Sequence, residues 1–280
     1  LGANHASFGT AVLIATSTVE LTVLRHRLSA LAFLAIVQIN PSALQAQRND
    51  AAAASLVSGI SDSAMVADLR FRNIGPAIMS GRISDIAVPS AGRPGERLGK
   101  TIYVASAAGG VWKTRNGGVT WTPIFDAQKI SSIGAVAVSQ SNPNVVYVGT
   151  GEGNNSRSAY WGDGVYVSTN AGQAWTNTGL RDSHHIGRIV VHPTDPNTAY
   201  VAALGKLYSE NEERGLYKTI DGGKTWTKSL AVKSEGKDIG VVDVAMDPKN
   251  PLVLYAAAYD KVRRPWTFAE GGPGSGIYKT

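Results

Sequence analysis

Gly110-Val-Trp-Lys-Thr-Arg-Asn-Gly-Gly-Val-Thr-Trp121, Gly164-Val-Tyr-Val-Ser-Thr-Asn-Ala-Gly-Gln-Ala-Trp175 and Gly215-Leu-Tyr-Lys-Thr-Ile-Asp-Gly-Gly-Lys-Thr-Trp226 are three copies of one pattern, and a fourth opens at Gly276-Ile-Tyr-Lys-Thr280. The leading glycines are 54, 51 and 61 residues apart. A second unit recurs upstream of each copy. Ile83-Ser-Asp-Ile-Ala-Val88, Ile133-Gly-Ala-Val-Ala-Val138, Ile186-Gly-Arg-Ile-Val-Val191 and Val241-Val-Asp-Val-Ala-Met246 align without gaps. Turns rich in Pro, Asn and Asp follow, then a short run centred on Tyr103, Tyr147, Tyr200 or Tyr255.

Each unit reads as strand, turn, strand, loop, strand, tight turn, strand. The runs are β-branched or aromatic, about five residues long, and bounded by Gly, Asn, Asp and Pro. No stretch of the repeat has a capped helical period. Four short strands every fifty-odd residues predict an all-β chain, a β-propeller of four-stranded antiparallel blades. One such sheet cannot bury both faces alone, so neighbours must stack on it. The blades are expected near 81–128, 131–180, 184–232 and 239–280, the last incomplete. Because the chain ends inside the fourth motif copy, it reads as the N-terminal fragment of a larger propeller. Trp121, Trp175 and Trp226 end the motif at one offset, and each is expected to be largely buried against its own blade.

The tight turn has the pattern Ser/Thr-x-Asp/Asn-x-Gly-x-Thr-Trp. Asn116, Asn170 and Asp221 are suited to bond nearby backbone N–H groups, and Gly118, Gly172 and Gly223 to hold a positive φ. The second copy departs at Ala174. This turn resembles the Asp-box, or BNR repeat, of sialidases, sortilin/Vps10 ectodomains, xyloglucan hydrolases and plant photosystem assembly factors. The resemblance covers about residues 66–280. It is nearest to secreted bacterial sortilin/Vps10-like proteins labelled as glycosyl hydrolases with BNR repeats, through Phe71-Arg-Asn-Ile-Gly-Pro76, Ser183-His-His-Ile-Gly-Arg188, Asn211-Glu-Glu-Arg214 and Arg263-Arg-Pro-Trp266. Each Asp-box oxygen is a lone ligand in its own blade, whereas calcium takes about 6 to 8. These residues are therefore read as structural, and no metal is expected.

In propellers of this resemblance the Asp-box turns lie on one face, and the loops between second and third strands lie on the other with the blade-to-blade links. From the aligned Tyr to the motif glycine the distance is 7 residues in the first unit, then 17, 15 and 21. Long loops on a rigid scaffold are where binding residues tend to sit. The loops and links hold Glu152, Trp161, His184, His185, Glu212, Arg263, Arg264 and Trp266, which are the ligand-binding candidates. The competing reading is that these side chains only brace blade against blade. On the inner strands, alternation places Asp85, Arg188 and Asp243 at one aligned position, toward an axial channel. Mixed signs there allow mutual pairing or a ligand clamp.

The chain has no Cys, which removes disulfides and thiol chemistry. Its net charge of +6 comes without any long Lys/Arg run, so nucleic acid is not an expected partner. Arg25, His26 and Arg27 precede an apolar run Leu28–Ile39 and small residues to Ala46, the parts of a secretory signal too short to span a bilayer. The expected organisation is a signal region over 1–46, with 1–22 a misplaced start or read-through, a linker over 47–65, and the partial propeller over 66–280. Export places the protein outside the cytoplasm, secreted or periplasmic. No cofactor is expected, and no catalytic set is legible. Phe71-Arg72-Asn73 faintly resembles the opening arginine motif of sialidases, but Ile74-Gly75-Pro76 departs from it. The favoured reading is a secreted binding module for a protein, peptide or glycan. The alternatives are a glycoside hydrolase acting through a carboxylate pair and an assembly factor for an envelope complex.

Overall fold

The computed structural model of the chain describes residues 81–90 and 99–280. The signal region, the linker and the Phe71–Pro76 motif fall outside them. The repeat phases predict where strands begin, and the sheets follow them. The first blade is β1 (Ile83–Ala87), β2 (Ile102–Ser106), β3 (Val111–Thr114) and β4 (Thr122–Pro123), antiparallel in that order. The second is β5 (Ile133–Val138), β6 (Val146–Thr150), β7 (Val165–Ser168) and β8 (Thr176–Gly179). The third is β9 (Ile186–Val191), β10 (Ala199–Ala203), β11 (Gly215–Thr219) and β12 (Thr227–Leu230).

The fourth blade differs. Its sheet runs β13 (Val232–Ser234), β14 (Lys237–Met246), β15 (Leu254–Tyr259), then β18 (Gly276–Lys279). A separate hairpin, β16 (Lys261–Arg264) with β17 (Thr267–Glu270), fills the insertion between its second and third meander strands. β13 is a hairpin arm in the link from the third blade, turned through Glu235 and Gly236, both at positive φ.

The core consists of the seams between blades. Tyr103, Val111 and Phe125 of the first blade meet Ile133, Val146, Val148 and Tyr166 of the second. Tyr147, Val165 and Leu180 on the second blade's other face meet Ile186, Ile189 and Val201 of the third. Ala202 and Leu216 then meet Val241, Val244 and Leu254 of the fourth. Alternation within β6 thus sends Val146 and Val148 to one neighbour and Tyr147 to the other. Both faces are apolar because both are covered, which is why these strands read as almost unbroken hydrophobic runs.

At the inner strands the blades touch backbone to backbone. All four inner pairs carry a register shift at the same place, skipping Ser84, Gly134, Gly187 and Val242. A Cβ on Gly134 would stand 1.9 Å from the Ile186 carbonyl oxygen, and one on Gly187 2.0 Å from that of Val242. Glycine is needed there for closeness, not for its φ. At the first seam the Ser84 hydroxyl fills the corresponding place and donates to the Ile133 carbonyl at 2.6 Å.

The repeated tight turns share one hydrogen-bond scheme. Asn116 Oδ1 accepts from Thr120 N–H at 2.9 Å, Asn170 Oδ1 from Ala174 N–H at 2.8 Å, and Asp221 Oδ1 from Thr225 N–H at 2.9 Å. The Thr114, Ser168 and Thr219 hydroxyls accept from the N–H of Gly118, Gly172 and Gly223, whose φ angles are 95°, 88° and 91°. Those angles are strained for any residue with a Cβ. At the second copy the departure to Ala174 gives up the hydroxyl bond that Thr120 and Thr225 make to the same side chain, but keeps the backbone N–H bond.

The tryptophans correct the sequence-based expectation, since Trp121 is exposed and the other two, half-buried, are hooked to the preceding blade instead of their own. Trp175 Nε1 donates to the Ile124 carbonyl at 2.7 Å, and its ring meets Phe125 edge-on at 5.3 Å. Trp226 Nε1 donates to the Thr178 carbonyl at 2.9 Å. The physical reason is that an outer strand leaves carbonyls without a ladder partner, and the indole N–H of the next blade takes one up. Trp121 makes no such bond among the described residues and is 39% exposed. Hooks also run forward: Tyr147 OH donates to the Pro196 carbonyl of the third blade at 2.8 Å, and burial pushes that phenol up to about 12.

Trp175→Ala and Trp226→Ala each remove a half-buried ring and orphan an edge carbonyl. They should cost about 2–4 kcal/mol in denaturant melts, and Trp121→Ala about 1 kcal/mol or less. Equal losses in all three would contradict the hooking. Bonds from the Thr225 hydroxyl, then its N–H, hold the Asp221 carboxyl down at about 2. A depressed folded pKa gives stability that is complete above the unfolded value near 4 and is lost as pH falls through about 2. Asp221→Asn, the choice already made at positions 116 and 170, should remove that acid dependence from a pH series of melts.

Candidate functional site

Antiparallel meanders put the second-to-third strand loops and the interblade links at one end of every blade. Three of these segments enclose a cavity of about 420 Å³ at the seam of the second and third blades: 157–161, His184-His185 and 206–209. Tyr160, Trp161 and Tyr208 supply aromatic surface, Trp161 being 64% exposed. Lys206, paired with Asp182 at 3.8 Å, and Arg157 supply positive charge, and among the described residues no Asp or Glu lines the cavity.

The link is built by short-range constraint. A single 3-10 turn, Arg181–Ser183, ends at His184, which is held at φ 54° and ψ −39°. That conformation is uncommon for a residue with a side chain. The His184 carbonyl accepts from Gly162 N–H at 2.7 Å, and the His185 carbonyl from Leu204 N–H at 2.9 Å, tying the link to both flanking loops. His185 is buried, with Nδ1 2.8 Å from the Glu152 carbonyl. A carbonyl can only accept, so Nδ1 carries the proton and Nε2 of the neutral ring is an acceptor. Burial lowers the His185 pKa to about 4, the Glu152 carbonyl opposing and Lys261 assisting the shift. Burial also lowers His184. At neutral pH the cavity therefore offers two uncharged imidazoles beside its aromatic rings.

A second cavity, of about 460 Å³, opens around the axis at the same end, with Arg82, Glu152, Asn154, Arg188 and Asp243 on its wall. Glu152 is almost fully buried. Its Oε1 is ion-paired with Arg82 and accepts from Asn154 Nδ2 at 2.6 Å. Deeper along the axis Arg188 bridges Asp85 at 3.0 Å and Asp243 at 3.1 Å. Asp85 also accepts the Val136 N–H of the second blade at 3.1 Å. The aligned inner position is thus a three-residue tie across the first, third and fourth blades, separating the axial cavity from another of about 440 Å³ at the turn end.

The structure divides the sequence-predicted candidates. Trp161, His184 and His185 share the aromatic cavity. Glu152 lines the axial one instead. Arg263 and Arg264 line a small cleft on the far side of Leu207–Ser209. Glu212 is exposed and contributes its carbonyl to Lys228 Nζ at 2.7 Å, not its carboxylate to a cavity. Trp266 is 81% exposed at the tip of the β16–β17 hairpin. Sequence reasoning missed Tyr208, which lies in the same insertion as Lys206, and Arg82, one residue before the first inner strand.

The sequence model of the Sortilin-Vps10 family, described as sortilin, neurotensin receptor 3, matches residues 109–235, which carry the whole aromatic cavity. The chain is a partial β-propeller, and over those residues it is similar to the Sortilin-Vps10 family. Similar solved structures include a GH74 enzyme from Niastella koreensis, at 20% identity and a TM-score of 0.48, covering 70% of this chain and 28% of that one. The GH74 xyloglucanase from Xanthomonas campestris has 20% identity and a TM-score of 0.44, covering 65% and 27%. YCF48 from Cyanidioschyzon merolae has 16% identity and a TM-score of 0.42, covering 70% and 57%. The chain therefore spans about a quarter of the length of these GH74 enzymes. No curated protein matches it.

The neutral, buried His185 carries a pH signature. Its folded pKa of about 4 lies below the unfolded value near 6.5. The unfolded chain binds the proton first, so stability is full above about 6.5 and falls as pH drops toward about 4. His185→Gln should flatten the melting temperature over that window. An unchanged slope would place the titration elsewhere.

Proposed function

We propose that the chain is a ligand-binding propeller, part of an exported sortilin/Vps10-like protein, and that it takes a peptide or glycan in the cavity between its second and third blades. The observation that carries this reading is the cavity's composition: three aromatic rings, two uncharged imidazoles and flanking cations, with no carboxylate among the described residues that line it. Aromatic faces stack on sugar rings and apolar side chains, and a few polar groups fix orientation. Hydrolysis of a glycoside needs two carboxyl groups about 5 to 10 Å apart across the bond. Glu152 and Asp243 share the axial cavity, but an arginine occupies each. This favours binding over glycoside hydrolysis. Among the described residues no helix is long and apolar enough to cross a membrane.

The test screens the purified protein against peptide arrays and against β-glucan oligosaccharides, with reducing-end release measured in parallel. Capture should occur without release. Trp161→Ala should weaken it about 10-fold or more, in line with loss of a central aromatic contact, while the melting curve stays within about 1 °C, because the ring is largely exposed. Release that survives Trp161→Ala and is abolished by Glu152→Gln would instead make the axial cavity the active centre.

A further inference from the structure

Four cations gather where the third blade's long loop meets the β16–β17 hairpin. Arg214, Lys261, Arg263 and Arg264 line a cleft of about 20 Å³ against Leu207–Ser209. Arg214 and Lys261 are buried. Their donors go to neutral acceptors. Arg214 bonds Asn211 Oδ1 at 3.2 Å and the carbonyls of Lys206 and Ser209 at 2.8 and 2.7 Å. Lys261 Nζ bonds the Leu207 carbonyl at 3.2 Å, and Arg264 the Tyr208 carbonyl at 3.3 Å. Arg263 stacks on Phe268 at 4.6 Å, and its Nε is buried with no hydrogen-bond partner among the described residues.

Three of the neighbouring carboxylates have bonded partners of their own. Glu210 pairs with Lys237 at 3.1 Å, Asp238 with Lys228 at 3.2 Å and Lys233 at 3.5 Å, and Asp260 accepts Gly274 N–H at 3.0 Å. Among the described residues none of the four cations forms an ion pair. Glu210, Asp238 and Asp260 partly offset the charge of Arg214 through space, but a buried charge with no direct ion pair is costly. Here it shows in Lys261, whose ammonium is pushed down to about 8 by burial first, then by Arg214 and Arg263. The cleft has room for about one water-sized polar atom, which suits a single oxygen and not a tetrahedral oxyanion.

We propose that this cleft is a carboxylate-binding site, in which one oxygen of a ligand carboxylate takes the Arg263 Nε–H and the Lys261 ammonium as its donors. Both bonds are charge-assisted, the strong class of hydrogen bond. The site stands on the cation cluster alone and does not depend on whether the aromatic cavity takes a ligand. An acidic peptide side chain and an acidic sugar offer the same group.

Thermal unfolding of the full chain, in sodium acetate against sodium chloride at equal ionic strength and neutral pH, tests the site. Acetate at about ten times its dissociation constant should raise the melting temperature by about 3 °C over chloride, by mass action. Lys261→Met, which keeps most of the buried stem, should abolish the shift, and Arg263→Gln should at least halve it. Should Lys261→Met fail to fold, Arg263→Gln decides, because that side chain is only half-buried. N-acetylglutamate amide and glucuronate, run the same way, distinguish the two sources, and a shift with either supports the site. Acetate no better than chloride, or a shift undiminished in both variants, overturns it.

Discussion

A four-stranded sheet with two apolar faces cannot be stable alone, and everything else in this chain answers that constraint. Each seam is sealed at two radii. Near the axis, Gly134 and Gly187 let one blade's backbone reach the next blade's carbonyl, and Ser84 does the same with a hydroxyl. At the rim, Trp175 and Trp226 cap carbonyls of the preceding outer strand. Between these lies close-packed Val, Ile and Tyr, whose burial supplies the bulk of the driving force. The Arg188 tie to Asp85 and Asp243 adds a polar link across the axis. Being partly exposed, it contributes orientation more than stability.

The site inherits its geometry from that stacking. The aromatic cavity is walled by two loops of adjacent blades, with the link between them as its floor, so its shape is set only when the seam is closed. His184 holds an uncommon backbone conformation because both flanking loops bond the link's carbonyls. Such conformations persist where the surroundings over-determine them, and they cluster at functional positions. His185 stays neutral for the same reason: the closed seam removes water from it and leaves a carbonyl facing Nδ1.

The strands, their order and the turn chemistry were legible from the sequence, because each rests on residues close in the chain. Thr219, Asp221 and Gly223 close their bonds within six residues, and repetition at one offset makes such a signal hard to miss. The three long insertions were legible as lengths. What was not legible depends on partners far along the chain. Trp175 finds its acceptor 51 residues back, and Arg82 pairs with Glu152 70 residues on. Nothing local distinguishes an indole that packs on its own blade from one that hooks the neighbour. Lys261 reads as a surface lysine until the third blade's loop is seen to cover it. The β13 hairpin escaped because Glu235-Gly236 is a weaker turn signal than Asn-Gly.

Native-state hydrogen exchange tests the dependence of each blade on its neighbours most directly. The amides of β6 and β7 in the second blade and of β10 and β11 in the third should share one opening free energy, equal to that of global unfolding. Trp226→Ala, which touches only their seam, should lower protection in both blades by the same amount. Exchange of the third blade alone after that substitution, with the second blade's amides unchanged, would contradict the account.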